Sequence, residues 1–204
     1  MFQKNLYKAF IARCAPLGAL SSILLLLNAC CGDYHPTRYP VNLIENYTGE
    51  AIQTPSNNNS VVLVGGCFDI LHFGHIEFLE KAKASGDYLK KAKAHDDYLI
   101  VALEPDDSII NYKHNKPIHS QKERAKILTA LRVVDMVVLL PVLKGFADYN
   151  QLVANIRPDV IAVTADDPQL ENKRKQASAV GATVKIVTPR LADFSSSAIR
   201  QAKA

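Results

Sequence analysis

Cysteine is scarce in this chain and badly placed for cross-linking. Cys14, Cys30, Cys31 and Cys67 show neither disulfide nor zinc spacing, and three of them fall in the first 31 residues. Strong charge is missing too. The net charge is +4 and the pI about 8.8, with the lysines gathered locally in 81–93 and 113–116 rather than along an aromatic-studded face. Such a balance argues against nucleic-acid binding and suits weak attraction for phosphorylated small molecules. No apolar run reaches the roughly twenty residues of a membrane span. The nearest, Ala15 to Cys31, contains Pro16. Carboxylates, histidines and cysteines are not spaced to cage a metal from protein groups alone. What remains, 48% hydrophobic and 22% charged residues, fits one globular domain with a real core plus an appendage.

The appendage is residues 1–31. Lys4, Lys8 and Arg13 precede the apolar stretch, small residues close it, and Leu27-Asn28-Ala29-Cys30 approximates a lipoprotein cleavage box. This pattern describes a secretory leader or a membrane anchor through residues 15–31. A mis-assigned start is the other reading, with the product beginning nearer the first strand. No methionine lies between Met1 and Met136, so that start would use an alternative codon. Residues 32–60, with Pro36, Pro40, Pro55 and Asn57-Asn58-Asn59-Ser60, read as a flexible linker to a domain over 61–204.

From Val61 onward short apolar runs at 61–65, 98–103, 135–140, 159–163 and 183–187 alternate with helical patterns. Runs that are β-branched and apolar on both faces are buried parallel strands. Ser120-Gln121-Lys122-Glu123 is a capping box for a helix carrying Ile127, Leu128 and Leu131, and Pro168 suits the first turn of a helix stopped by Gly181. The expected fold is α/β: a doubly wound, Rossmann-like, five-stranded parallel sheet with helices on both faces and a hydrophobic leader ahead of it. Lys81–Lys90 is nearly repeated by Lys91–Ile100, and the second copy runs into Ile100-Val101-Ala102-Leu103. The extra unit is therefore 81–90 or its equivalent. It is read as a tolerated lengthening of a helix or its loop, away from the histidines described next.

Gly66-Cys67-Phe68-Asp69-Ile70-Leu71-His72-Phe73-Gly74-His75 follows the first strand. Small residues admit a ligand close to the backbone, and the following helix aims unpaired N–H groups at anionic oxygens. The string resembles the HxGH nucleotidyltransferase superfamily of cytidylyltransferases and adenylyltransferases, nearest to the adenylyltransferase domain of heptose-phosphate enzymes. Three further segments are similar to that family, in its order. They are Lys113-His114-Asn115-Lys116-Pro117-Ile118, Glu123-Arg124, and Phe194-Ser195-Ser196-Ser197-Ala198-Ile199-Arg200. The resemblance spans about residues 60–204. His114 stands where the family has glycine, and Ala165 replaces the glycine of a Gly-x-Asp after the fourth strand, leaving Asp167 as the better-matched carboxylate. Relatives carry a single copy of Lys-Ala-x-x-x-Gly-Asp-x-Leu where this chain has two.

The resemblance implies attack by an acceptor phosphate on the α-phosphorus of ATP or CTP, with release of pyrophosphate. His72, His75 and Lys116 take the catalytic roles. Gly66, Cys67, Phe68, Asp69, Gly74, Lys113, Arg124, Asp167, Ser195, Ser196, Ser197 and Arg200 bind nucleotide or phosphate. Phe68 also reads as packing, Asp69 as a turn residue, Arg124 as a surface ion pair and Cys67 as an inert small side chain. Mg²⁺ would accompany the triphosphate. The acceptor is a small sugar or polyol phosphate, acted on in the cytoplasm, and a homodimer is compatible. Export would conflict with this chemistry, because nucleoside triphosphates are scarce outside the cytoplasm. Two alternatives stay open: an FAD synthetase acting on FMN, and a catalytically silent nucleotide-binding module tethered to a membrane.

Overall fold

The computed structural model describes residues 41–54, 59–86, 97–189 and 199. The leader, the second copy of the near-repeat as far as Asp96, the triple serine and Arg200 lie outside the described residues.

The five apolar runs all form strands: β2 (Val61–Gly66), β3 (Tyr98–Leu103), β4 (Met136–Leu139), β5 (Val160–Thr164) and β6 (Thr183–Thr188). A sixth strand, β1 (Asn42–Ile44), lies at the edge, so the sheet is six-stranded rather than five-stranded. It comes from a stretch whose composition reads as linker. Only three residues long and opened by a polar one, β1 carries no periodicity to detect. It pairs in parallel with β4, Leu43 opposite Val137, and Asn42 donates a side-chain hydrogen bond to the Tyr98 hydroxyl at 2.9 Å. Burial pushes the Tyr98 pKa up, which keeps that phenol neutral. Just downstream, Tyr47 and Ile52 enter the core, anchored by Asn155, whose side chain donates to Tyr47 Oη and whose carbonyl accepts from the Ile52 amide.

The strand order is β1-β4-β3-β2-β5-β6, and every pairing is parallel. Alternation along the strands divides the core. Leu63, Ile100, Val138 and Ile161 face α4 (Phe146–Ile156) and α5 (Leu170–Val180). Val62, Val101, Val137 and Ala162 face α1 (Phe73–Lys83) and α3 (Gln121–Thr129). Both faces are covered, as all-parallel sheets require. Val61 to Val64 are each at most 5% exposed, and burying a side chain of that size contributes about 1.5–3 kcal/mol. The chain moves outward from β2 through β3 to β4, then returns to β5 on the other flank. The β2–β5 pair is thus the reversal point, where such sheets open a crevice for ligand.

Local signals hold at the helix ends. Ser120 and Glu123 form the reciprocal capping box of α3, and the bonds from Ser120 lower the Glu123 pKa. Gly181 ends α5 with φ +75°, a left-handed stop suited to glycine. Pro168 precedes α5 instead of entering its first turn, because the helix starts at Leu170 with Gln169 as its cap.

The helix ends within the first copy of the near-repeat. α1 stops at Lys83 with Ala84 as its cap, and Gly86 then packs against Asp97, the residue leading into β3. The Gly86 amide donates to Asp97 Oδ2 at 2.9 Å, and a β-carbon on Gly86 would collide with that carboxylate. Gly86 belongs to the first copy and Asp97 to the second, so the two meet as the Gly-Asp of a single copy would. Ten residues, 87–96, separate them in sequence. Deleting 87–96 would join Gly86 to Asp97 as in a single copy, and is expected to change unfolding free energy by no more than about 1 kcal/mol, since lengthening the chain between two ends that already meet costs little. Denaturant melts of the deletion protein check this, and a loss of several kcal/mol would refute it.

Candidate active site at the carboxyl ends of the strands

β2 ends at Gly66, and the chain turns through Cys67–Leu71 to His72, the extended N-cap of α1. The turn is tight. Phe68 has φ +46°, a left-handed conformation that a bulky side chain rarely adopts. Strain of this kind persists where packing over-determines it, characteristically at ligand sites. The packing is visible: Phe68 is 6% exposed, and a β-carbon on Gly66 would sit 2.9 Å from its Cε2 atom. On its other side the Phe68 ring meets the His75 imidazole at 5.0 Å. The two imidazoles of His72 and His75 stack with centroids 3.7 Å apart and planes 24° from parallel. Three rings in series therefore fix where the histidines point. The α1 first turn itself carries no acidic residue, so no side chain within it opposes an anion approaching that helix end.

Behind the loop lies Arg124, fully buried on α3. Its Nη1 donates to the carbonyls of Cys67 and Glu104, Nη2 to Asp106 Oδ1 at 2.6 Å, and Nε to the His119 carbonyl at 3.1 Å. One guanidinium ties the β2–α1 loop, the end of β3 and the 114–120 loop together. Asp69, 2% exposed, adds a second tie, Oδ1 accepting from the amides of Ile118 (2.8 Å) and His119 (3.2 Å). Gln121 makes a third, its side-chain amide donating to the carbonyls of Leu103 and Leu140.

The loop opens on a cleft of about 990 Å³ across the strand ends, with Gly65, Ala102, Thr164 and Thr188 at its floor. One flank is formed by α4 and the start of α2 (Asp106–Lys113). There Glu104 accepts from the Tyr149 hydroxyl at 2.8 Å and from Ser108 Oγ at 2.9 Å. Burial first, and the Glu104 carboxylate second, raise the Tyr149 pKa far above its ordinary value, so this phenol donates and does not ionise. The opposite flank carries Asp166, Asp167 and Lys173 of the β5–α5 segment. Asp167 Oδ2 pairs with Lys173 Nζ at 2.6 Å, and Oδ1 accepts the Gln169 amide at 2.8 Å.

The expected site residues divide accordingly. His72, His75, Gly66, Cys67, Phe68, Gly74 and Asp167 all line the cleft. Asp69 and Arg124 sit behind it as struts. Lys116 is exposed on the 114–120 loop, and Lys113 is the last residue of α2. His114 caps that helix with φ +53°, which explains a glycine at the equivalent family position. Ser195, Ser196, Ser197 and Arg200 fall outside the described residues. Glu104, Ser108, Tyr149 and Lys173 line the cleft without having been singled out. For Glu104 a signal existed, an acidic residue directly after an apolar strand of a doubly wound sheet. Tyr149 has no motif at all. Among the described residues, no group of three or more histidine, cysteine, aspartate or glutamate side chains is arranged to hold a metal ion. Nor is any described helix long and apolar enough to cross a membrane.

Residues 63–202 match the cytidylyltransferase-like family. The bifunctional protein HldE of Helicobacter pylori (strain J99) is 36% identical over 152 residues, covering 74% of this chain and 27% of that protein. The FAD synthase of Pyrococcus horikoshii is 35% identical over 127 residues, 62% of this chain and 77% of the relative. That of Thermococcus kodakarensis is 43% identical over 105 residues, 52% and 62% respectively. The chain thus spans about a quarter of the HldE protein and about three-quarters of the Pyrococcus enzyme.

Proposed function

This chain belongs to the cytidylyltransferase-like family, and from that premise we propose that it transfers AMP or CMP from a nucleoside triphosphate to a small phosphorylated acceptor. An oxygen of the acceptor phosphate attacks the α-phosphorus, and the bond to the pyrophosphate oxygen breaks. The observation that carries this reading is the stacked His72–His75 pair, held at the α1 N-terminus on the rim of a cleft of about 990 Å³. Imidazole and helix N–H groups there donate to phosphate oxygens as charge builds on them. Lys113, Lys116, Ser195, Ser196, Ser197 and Arg200 are proposed to bind the triphosphate, as their match to the family's motifs implies. Mg²⁺ would enter on the triphosphate, held by phosphate and water.

A sugar or polyol phosphate is the proposed acceptor, and the FAD synthase relatives support FMN as the second reading. The test is pyrophosphate release from ATP and from CTP, with Mg²⁺, across glycerol phosphate, hexose phosphates and FMN. Release with one acceptor assigns the reaction. Triphosphate binding with no release from any of them would favour the silent module and refute catalysis. A leader over residues 1–31, ahead of a catalytic domain that takes in β1, belongs to the same proposal, as do a tether through residues 15–31 and a homodimer. Mass spectrometry of the mature N-terminus, membrane fractionation and sedimentation address these.

A further inference from the structure

The α4 flank of the cleft has a charge pattern that the nucleotidyl-transfer chemistry leaves unexplained. Its charged group is the Glu104 carboxylate, and no lysine or arginine whose side chain is described pairs with it. The backbone of Glu104 is fixed twice, its amide bonded to the Gly66 carbonyl at 3.1 Å and its carbonyl to Arg124 at 2.9 Å. Its two carboxylate oxygens are held apart by Tyr149 and Ser108, one donor each. Each oxygen keeps further acceptor capacity, since an ionised carboxylate offers about four lone-pair sites. Because Glu104 adjoins Gly66, this acceptor group stands one strand away from the phosphate loop. The cleft that Glu104 lines is also lined by the rings of Tyr149 and Phe146 and the side chains of Leu140 and Leu152.

A fixed anion here has two effects. It repels an acceptor phosphate, leaving the histidine end of the cleft as the place for that group. It also rewards a hydrogen-bond donor carried close to the phosphate. We propose that Glu104, oriented by Tyr149 and Ser108, selects acceptors bearing a hydroxyl on the carbon next to the phosphorylated one, with the aromatic wall covering their carbon chain. Sugar phosphates, polyol phosphates and the ribityl phosphate of FMN share this feature, whereas phosphocholine lacks it. The inference rests on the nucleotidyltransferase reading and adds the acceptor-selecting group to it.

The experiment measures KM and kcat for pyrophosphate release by the full chain and by Glu104→Gln and Tyr149→Phe. The acceptors are glycerol 3-phosphate, glucose 1-phosphate and FMN, each beside its analogue lacking the neighbouring hydroxyl, together with phosphocholine. The parent protein should prefer the hydroxylated member of the pair it uses by about tenfold or more, the worth of a hydrogen bond to a charged group. Glu104→Gln should raise acceptor KM by a similar factor, erase most of that preference, and leave triphosphate KM within about twofold. Tyr149→Phe, which keeps the packing, should shift the same quantities less. Which pair responds separates a sugar or polyol acceptor from a flavin one. Turnover with the preference intact in Glu104→Gln, or a parent that favours phosphocholine, would overturn this inference alone. A protein that binds ATP or CTP without using any acceptor would overturn both readings.

Discussion

Arg124→Met is expected to unfold with about 3–5 kcal/mol less stability than the parent and to lose turnover. The reason is what the substitution strands. The carbonyls of Cys67, Glu104 and His119 and the Asp106 carboxylate all take hydrogen bonds from a guanidinium that is 0% exposed. Asp106, 38% exposed, can turn to water, but three backbone carbonyls lose a donor from inside the protein, which costs far more than a surface ion pair. In a protein of this size the loss is roughly 6–20 °C of melting temperature. Arg124→Lys should recover only a fraction, because an ammonium cannot reach three carbonyls and a carboxylate with one planar fork. Calorimetric melting beside pyrophosphate release measures both effects. A methionine variant melting within a degree or two of the parent would refute the strut role. One that melted low yet turned over normally at low temperature would show that the loop does not depend on it.

His75→Ala should behave in the opposite way. The imidazole stacks on His72 and touches Phe68, but it is half-buried at the cleft rim, so its loss leaves the core intact. Stability should fall by about 1 kcal/mol or less, while kcat falls about 10²–10³-fold, the usual cost of one donor aimed at developing charge. Triphosphate affinity, read by titration calorimetry with Mg²⁺, should change by less than about tenfold. Donors that act on the transition state affect kcat more than binding. Equal losses in affinity and kcat would assign His75 to ground-state binding, and an unchanged kcat would remove it from the chemistry.

Most of the fold could be read from residue order, because its strands are buried on both faces. Val61–Val64 and Leu99–Leu103 announce themselves as unbroken apolar runs, and the Ser120–Glu123 pair and Gly181 mark helix ends through local chemistry alone. β1 escaped for the converse reason: a three-residue edge strand is held by its neighbour and not by its own pattern. The site was legible where a motif occupies consecutive residues, as in 66–75. Illegible was anything made by convergence. Arg124 on the first turn of a helix looks like a solvated cation until Cys67, Glu104, Asp106 and His119 are brought around it. The Glu104–Ser108–Tyr149 cluster joins the end of β3 to two different helices, and no spacing in the chain predicts that meeting. The family glycine replaced by His114 posed a question about loop shape that its left-handed φ answers directly.

Asn42–Ile44 also bears on where any trimmed form of this protein can begin. With that ribbon in place, β4 has a bonded partner on each side, β3 and β1. A product starting at Val61 would strip one flank of Met136–Leu139, baring a row of amide and carbonyl groups beside four apolar side chains. Exposed margins of this sort recruit foreign strands and seed precipitation. Solubility of a minimal catalytic fragment therefore hinges on some twenty residues that no catalytic motif marks out.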